Sequence, residues 1–527
     1  MGKNKNRQKQ KQQQAAQHTH QIPLITATAT TDDVSDASNQ FEQVPSPVIF
    51  IETPAEEQNG KSEEKERSHQ QVIEEVKRRK AIIESAIVAK PAAESHNRIT
   101  FYPFAYALRS DNLHLFCWYC LKEYDQVKLR PCAGKCKVAW FCNDKCEKLA
   151  LKDHRPECDG YKRMDLKSEA PDVEVRLLGR IAHRYKQISD GEDKKIPDFY
   201  KDRTSNRNVM EIWAHEKNFS NDQQYSAQFA DFYEKLIKFY ASEDLPPKED
   251  VFKLHCRDFV NRHAISDVHY QNEVGKGLYL DLCAYDHSCA PDTVFYSVGF
   301  KSILVGLEPR ADISNNKTSY YSYVDLMGTF AQRQKQLKDT WFFECKCVRC
   351  NDAYDHVLTA LKCQYCFDIE NLETPVILQG ERSLKIEGRV VCPCCERGQE
   401  SFHLLEANYL MRDIGIFMDQ VESGHTNGAE TKFKEFLSKS EQLLPCVNAY
   451  RTRLILSYVS LPDIFADDKI KVFISIEPCL RYCFPRFHPG LGFYLRDVAY
   501  FCANAQLFED AVEYVTECLD IMERIFH

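Results

Sequence analysis

Residues 132–158 read CAGKCKVAWFCNDKCEKLALKDHRPEC, and two further cysteines precede them at positions 117 and 120. Thiolate sulfur and imidazole nitrogen are the ligands that tetrahedral zinc prefers, so eight such ligands predict two zinc sites. A segment of 42 residues has too small an apolar core to fold alone, and we expect the metal to supply folding free energy. The candidate ligands are Cys117, Cys120, Cys132, Cys136, Cys142, Cys146, His154 and Cys158.

The spacing of these ligands resembles the MYND zinc finger, most closely from Cys132 onward. The resemblance implies two interleaved sets. The first ion would take Cys117, Cys120, Cys142 and Cys146, and the second would take Cys132, Cys136, His154 and Cys158. MYND fingers usually bind proline-rich peptides, so the resemblance implies a protein partner. Residues 117–158 contain nine basic and six acidic side chains, a small excess that makes DNA the weaker alternative.

The cysteines of the whole chain are unevenly spread. Of the 23, none lies in the first 116 residues and 18 lie between Cys117 and Cys395. The N-terminal MGKNKNRQKQKQQQ lacks the apolar stretch of a secretory signal, so we expect a reducing compartment in which clustered thiols bind metal. The sequence has no run of 18 apolar residues that would predict a transmembrane helix. Its net charge of -9 argues against a dedicated nucleic-acid binder.

Residues 1–95 have the composition of a disordered tail. The first 20 residues are rich in Lys and Gln, whereas residues 32–67 hold ten acidic side chains against three basic ones. Within the tail, residues 63–90 combine good helix formers with Glu–Lys pairs and predict a helix. A solubilising role is the simplest interpretation, and contact of the basic start with RNA or acidic partners is the alternative.

Two later segments carry a second resemblance. Residues 275–292 read GKGLYLDLCAYDHSCAPD, and residues 322–350 read SYVDLMGTFAQRQKQLKDTWFFECKCVRC. Together with the finger they resemble the SET-and-MYND (SMYD) family of protein-lysine methyltransferases, over about residues 98–527. Short apolar runs in this region predict strands, namely GLYLDL (277–282), TVFYSV (293–298) and SILVGL (302–307).

The resemblance implies methyl transfer from S-adenosylmethionine to a lysine of a histone or another protein. It implies that Tyr323 is the catalytic tyrosine and that Trp341 lines the lysine channel. An apolar aromatic channel favours the neutral amine that can attack, and aromatic faces hold a cationic cofactor. The implied cofactor-binding residues are Asn261, Asp286, His287, Tyr323, Trp341 and Phe343.

Two more cysteine quartets have ligand spacing. The resemblance implies a post-SET zinc site formed by Cys289, Cys345, Cys347 and Cys350. A zinc-ribbon spacing predicts a fourth zinc, with Cys394 left over. Its ligands would be Cys363, Cys366, Cys392 and Cys395.

The sequence departs from the family pattern in three places. No glycine occurs in residues 82–108, where the family has a Gly-x-Gly cofactor loop whose backbone approaches the cofactor closely. Asp286 replaces the family's asparagine, so a group that only accepts replaces one that also donates. Residues 316–318 read NKT in place of Gly-Glu-Glu. These departures favour the alternative of a catalytically inactive adaptor that binds partners through the finger and the helical domain.

We expect an α+β fold, with a SET β core, an inserted finger and a helical C-terminal domain. The turn AQLFEDA (505–511) resembles a tetratricopeptide hairpin, and Val512, Val515, Leu519, Met522 and Phe526 predict one apolar stripe. The resemblance also implies cytoplasmic and nuclear residence. The expected division is a disordered tail at 1–95, an N-terminal SET strand segment at 96–116, the MYND finger at 117–158, a helical SET insert at 159–260, the SET core at 261–344, a post-SET and zinc-ribbon-like segment at 345–400 and a helical domain at 401–527.

Several other residues suggest chemistry but lack a suitable pattern. His255, His263 and His269 have no ligand spacing with the cysteines, so we expect ordinary core or surface histidines. Cys479 and Cys483 lie one helical turn apart without two further ligands nearby, which favours buried thiols over a metal site.

Overall fold

The computed structural model describes most of the chain after the N-terminal tail. The described residues are 97–164, 171–191, 205, 207–267, 270, 272–308, 311–366, 373–424, 428–461 and 466–526. The predictions of a disordered tail and of a helix at 63–90, and most of the glycine-free segment, lie outside these residues.

The strands are short and belong to small sheets. They are β1 (Arg98–Phe101), β2 (Ala105–Leu108), β3 (Arg130–Pro131), β4 (Trp140–Phe141), β5 (Arg262–Ser266), β6 (Glu273–Leu278), β7 (Asp286–His287), β8 (Thr293–Val298), β9 (Lys301–Gly306), β10 (Tyr320–Tyr321), β11 (Leu361–Lys362), β12 (Pro375–Val376), β13 (Lys385–Ile386) and β14 (Arg389–Val390). The runs TVFYSV and SILVGL form β8 and β9 as predicted, whereas only the first two residues of GLYLDL are in a strand.

Helices lie between the strands and then form the C-terminal quarter of the chain. They are α1 (Asp144–Arg163), α2 (Val173–Ser189), α3 (Glu216–Asn221), α4 (Gln223–Phe239), α5 (Lys248–Asn261), α6 (Phe330–Trp341), α7 (Val348–Asn351), α8 (Ser401–Glu422), α9 (Ala429–Leu443), α10 (Ala449–Val459), α11 (Ala466–Ile474), α12 (Glu477–Cys483), α13 (Pro489–Asn504) and α14 (Phe508–Phe526). None of the helices in the described part of the chain is long and apolar enough to span a membrane.

The two largest sheets join strands from both sides of the finger. One has the order β1-β9-β8 and the other β2-β6-β5, with antiparallel neighbours throughout. In the first sheet Arg98 pairs with Val305, so a strand before the finger completes a sheet built mostly from residues after it. In both sheets, residues 117–158 therefore lie in sequence between strands that pair with each other.

A third pairing is parallel and only two residues long. Strand β10 lies beside β7, with Tyr320 opposite Asp286 and Tyr321 opposite His287. The backbone N–H of Ser288 extends this contact by donating to the carbonyl of Tyr321 (3.1 Å). This pairing brings the Asp-His segment and the Ser-Tyr segment together although more than 30 residues separate them.

Buried charges hold the finger against α2. The guanidinium of Arg180 donates to both carboxylate oxygens of Glu157 on α1, one of them at 2.9 Å. The same guanidinium lies 3.9 Å from the ring centre of Trp118 in the finger. Arg180 and Glu157 are both buried, so this contact excludes water and fixes the finger on the helical insert.

The last two helices pack along each other and return to the β core. A three-residue connection joins α13 to α14, so the pair is antiparallel. At the end of α14, Arg98 of β1 donates to the carbonyls of Arg524 (3.3 Å) and Ile525 (3.0 Å), and Phe526 stacks on Tyr270 with ring centres 4.1 Å apart. The final helical turn is thus bound to the first strand.

The buried face of α14 differs slightly from the predicted stripe. The residues buried on this helix are Ala511, Val512, Cys518, Ile521 and Ile525. Val515, Leu519, Met522 and Phe526 are only partly buried. The buried face of the helix is therefore rotated by about one residue from the predicted stripe.

Candidate active site

One cavity of about 420 Å³ collects the residues that the sequence singled out for a cofactor and a lysine. It opens where α5, β5, β7, the segment after β10 and the end of α6 meet. Asn261, Asp286, His287, Tyr323, Trp341 and Phe343 all line it. Residues that are more than 80 positions apart in the chain thus share one cavity.

Tyr323 is fixed at both its backbone and its hydroxyl group. Its backbone N–H donates to Nδ1 of His287 (3.0 Å), and its hydroxyl donates to the carbonyl of Tyr285 (2.7 Å). Burial and then the nearby Asp286 carboxylate raise the pKa of Tyr323 above its ordinary value. The phenol therefore stays protonated at neutral pH and acts as a hydrogen-bond donor.

The end of helix α6 and the residues directly after it supply two further aromatic side chains. Trp341 ends the helix, donates from Nε1 to the carbonyl of Val260 (2.9 Å), and lies with its ring centre 5.3 Å from that of Tyr323. Phe342 then adopts a left-handed conformation with φ of 59°. This turn lets Phe343 line the same cavity directly after the helix has ended.

Asn261 lies at the C-terminal end of α5, next to the cavity mouth. Its side-chain amide nitrogen donates to the carbonyls of Trp213 (2.7 Å) and Arg257 (2.8 Å). Both amide hydrogens are therefore used within the protein. The side-chain oxygen is the group with which Asn261 could accept a hydrogen bond from a ligand.

His263 and Tyr321 also line the cavity, and the sequence analysis did not select them. Nε2 of His263 lies 2.8 Å from the hydroxyl of Tyr321, and burial lowers the pKa of His263 to about 4. His263 is thus a buried neutral histidine, as expected of a core residue, but it also forms part of the cavity wall. Its inward position could have been inferred, because His263 and Ile265 are the buried, alternating residues of β5.

Four groups of candidate metal ligands come together elsewhere in the chain. Within each group the ligand atoms all lie within 4.8 Å of one another. The groups are Cys117, Cys120, Cys142 and Cys146; Cys132, Cys136, His154 and Cys158; Cys289, Cys345, Cys347 and Cys350; and Cys363, Cys366, Cys392 and Cys395. These are the four combinations predicted from the sequence. Cys394 belongs to none of these groups and is exposed.

The sulfur separations fit zinc. Tetrahedral ligands about 2.3 Å from an ion lie roughly 3.8 Å from each other. The sulfur atoms of Cys120 and Cys142 are 3.7 Å apart, and those of Cys350 and Cys289 are 3.5 Å apart. The corresponding distance between Cys363 and Cys395 is 3.7 Å. Since a disulfide requires about 2.05 Å, these thiols are arranged to share an ion and not to pair covalently.

Comparison with characterised proteins gives several relatives, whereas no family model matches the chain. The chain is 32% identical over 248 residues to the histone-lysine N-methyltransferase SMYD3 of Homo sapiens, covering 47% of this chain and 54% of the relative. It is 26% identical over 227 residues to the histone-lysine N-methyltransferase ASHR1 of Arabidopsis thaliana, covering 42% and 44%. Over the matched residues the chain is therefore similar to SMYD-family lysine methyltransferases. It spans about half the length of the curated relatives that it matches.

The mixed helix-and-sheet architecture and the Cys-rich groups agree with the SET-and-MYND fold predicted from the sequence. Its cavity joins aromatic faces, which attract cations, to one carboxylate, that of Asp286. Apolar walls raise the cost of a charged amine, so a lysine side chain entering the cavity would lose its proton more readily than in water. The arrangement suits a positively charged cofactor and a neutral amine nucleophile.

Proposed function

We propose that this protein is an S-adenosylmethionine-dependent protein-lysine N-methyltransferase of the SMYD family that acts on histone or non-histone proteins. The observation that carries the proposal is the single cavity lined by Tyr323, Trp341 and Phe343 together with Asp286 and Asn261. Its volume of about 420 Å³ lies within the range of about 300–1,000 Å³ typical of small-molecule sites. The names of the relatives support a lysine as the acceptor.

In this proposal the bound cofactor supplies a methyl group on a sulfonium sulfur. The Asp286 carboxylate and the side-chain oxygen of Asn261 would accept hydrogen bonds from cofactor groups. Trp341 and Phe343 would hold cationic parts of the cofactor and the lysine stem against their faces. Tyr323 would line the point of transfer, where the fixed hydroxyl and ring restrict how the amine can approach. Alignment of the reacting groups then supplies most of the rate.

The proposal extends to the rest of the chain. We place the finger at 117–158, the SET core at 261–344 with its first strand at 96–116, and a tetratricopeptide-like helical domain at 401–527. The helical insert at 159–260 and the Cys-rich segment at 345–400 separate these parts. Each of the four ligand groups would hold one zinc ion. Proline-rich peptides would bind the finger, and the protein would reside in the cytoplasm and nucleus.

A Tyr323→Phe variant tests the assignment. We expect it to bind S-adenosylmethionine in calorimetric titration, because aromatic packing is kept, but to lose at least about 10²-fold in methyl transfer to a lysine substrate. Tyr500→Phe is the matched control, since Tyr500 is exposed on α13 and should leave transfer unchanged. The proposal would be refuted if the zinc-loaded wild-type protein neither released heat on titration nor melted at a higher temperature with excess cofactor. That result would favour the adaptor alternative.

A further inference from the structure

His287 connects the cavity to a metal-ligand group. One ring nitrogen, Nδ1, accepts the backbone N–H of Tyr323 (3.0 Å). The other, Nε2, lies 3.2 Å from the sulfur of Cys289, which belongs to the group completed by Cys345, Cys347 and Cys350. The imidazole is buried. Its two contacts place it between the proposed catalytic tyrosine and a candidate zinc site.

The hydrogen bond from Tyr323 determines where the ring proton lies. A backbone N–H can only donate, so Nδ1 of His287 must present its lone pair. In the neutral imidazole the proton then resides on Nε2, the nitrogen that faces Cys289. A cysteine that ligates zinc is a thiolate, which is a strong hydrogen-bond acceptor. The ring therefore donates to a metal ligand and accepts from Tyr323 at the same time.

A second donor contacts the same ligand group at Cys350, its last ligand in the sequence, whereas His287 contacts its first ligand, Cys289. Nη2 of Arg333 lies 3.6 Å from the sulfur of Cys350, and it also pairs with Asp355 at 2.7 Å. Four thiolates around one divalent ion leave two excess negative charges. Donors such as Arg333 and His287 stabilise that charge and hold the ligands in place.

We propose that His287 is a positioning residue that couples zinc occupancy of the Cys289 group to the placement of Tyr323, a role that rests on the proposed methyltransferase function. When zinc fixes Cys289, the donated hydrogen bond fixes the ring, and the ring fixes the backbone of Tyr323. His287 therefore acts on the cavity through its hydrogen bonds, while its ring lies 5.2 Å from that of Tyr323, centre to centre. Zinc and cofactor should then bind cooperatively, and to the same extent in either order.

Three substitutions separate the two hydrogen bonds. His287→Gln retains an amide donor able to reach Cys289. His287→Asn retains an acceptor near the position of Nδ1 but is too short to reach the sulfur. His287→Phe retains the ring and removes both bonds. His488→Asn is the control, because His488 is also buried but caps the start of α13 and belongs to none of the four ligand groups.

The first measurement is zinc bound per full-length chain against free zinc set by a buffered chelator. We expect His287→Asn and His287→Phe to weaken one site by about 10–100-fold. His287→Gln and His488→Asn should stay within about threefold of the wild type. Wild-type zinc affinity in both the Asn and the Phe variant would overturn the contact between His287 and Cys289.

The second measurement repeats the zinc titration with saturating S-adenosylmethionine. In the wild type the cofactor should strengthen zinc binding at that site, and in His287→Phe the strengthening should fall to less than twofold. Equal strengthening in both proteins would overturn the coupling. If the wild type binds no cofactor, the proposed function fails and the coupling fails with it, whereas the first measurement still decides whether His287 supports the metal ligands.

Discussion

Glu157 is a carboxylate held in the interior at the base of the finger. Burial alone would raise its pKa, but the Arg180 guanidinium outweighs that effect and holds the pKa of Glu157 below its ordinary value. The hydroxyl of Tyr240 adds a hydrogen bond to the same carboxylate (3.0 Å). Glu157 is thus the carboxylate in close contact with the buried Arg180 guanidinium, which makes Glu157 difficult to replace.

We predict that Glu157→Gln lowers the free energy of unfolding by about 3–5 kcal/mol, because it leaves the buried Arg180 charge uncompensated. Chemical denaturation of the zinc-loaded protein measures this change. The control is Glu430→Gln, which breaks the exposed pair between Glu430 and Lys434 on α9 and should give no resolvable change. Equal stability of the two variants would mean that the ion pair does not hold the finger in place.

At the scale of single helices, two glycines should respond oppositely to the same substitution. A Cβ atom on Gly179 of α2 would lie 2.0 Å from the ring of Tyr240, which is itself fixed by Glu157. A Cβ atom on Gly415 of α8 would meet nothing closer than 3.4 Å, from Tyr450. The stability effect of alanine at Gly179 is therefore set by overpacking, and at Gly415 it is set by helix propensity.

We predict that Gly179→Ala destabilises the protein by about 1–3 kcal/mol or more. Gly415→Ala should stabilise it by about 0.5–1 kcal/mol, because alanine loses less conformational entropy in a helix. Thermal melting at fixed pH and zinc concentration compares the two directly. A stable Gly179→Ala protein would show that α2 and Tyr240 are not tightly packed.

Helix α13 begins at a titratable cap. The side chain of His488 accepts the backbone N–H of Gly490 (3.1 Å), and burial lowers the pKa of His488 from 6.5 to about 3. Between these two values the unfolded chain binds a proton that the folded chain does not. Folding stability at this residue therefore decreases as the pH falls below about 6.5.

We predict that His488→Asn, which retains a cap acceptor but cannot titrate, loses less stability than the wild type on acidification. Between pH 7.5 and 5.5 the difference should approach about 1.4 kcal/mol, one pKa unit's worth of proton binding. Loss of zinc at low pH is common to both proteins and cancels in this comparison. If the wild type and His488→Asn lost the same stability between pH 7.5 and 5.5, that result would contradict the neutral, buried state of His488.

Local patterns predicted the metal groups but not the contacts that complete the cavity. Ligand pairs such as Cys142 and Cys146 lie within one turn of chain, so their spacing carries geometric information. The contact between His263 and Tyr321 joins residues that are 58 positions apart and lie on strands of two different sheets, which no local pattern reports. Helix α6 did have a local signal in Thr329 and Gln332, whose reciprocal capping bonds begin it.

At the scale of the whole molecule, the four candidate metal-ligand groups are distributed along the chain from Cys117 to Cys395. The last of them, the Cys363 group, precedes the C-terminal helices. The carbonyl of the neighbouring Lys362 lies 2.8 Å from Nε2 of His403 on α8. Asn448, the cap of α10, donates to the carbonyl of Ala360 beside the same group (2.9 Å). This ligand group therefore lies at the junction between the β core and the C-terminal helices.

We predict four zinc ions per chain by elemental analysis of the purified protein. The double variant Cys363→Ser, Cys366→Ser should retain three, with a lower melting temperature, because metal binding contributes folding free energy. Cys394→Ser is the control and should retain four, since that exposed thiol lies outside the groups. If the wild type and the double variant both held three ions, the Cys363 group would not bind zinc.

The hydrogen bonds between Arg98 and the last turn of α14 have a consequence for biosynthesis. Strand β1 leaves the ribosome 207 residues before its partner Val305 and more than 420 residues before the carbonyls that Arg98 binds. At about 5–20 residues per second, the first strand waits roughly 10–40 s for its sheet. During that interval its edge is unpaired and open to misassociation. The nascent protein should therefore depend on chaperones until its last helix has been made.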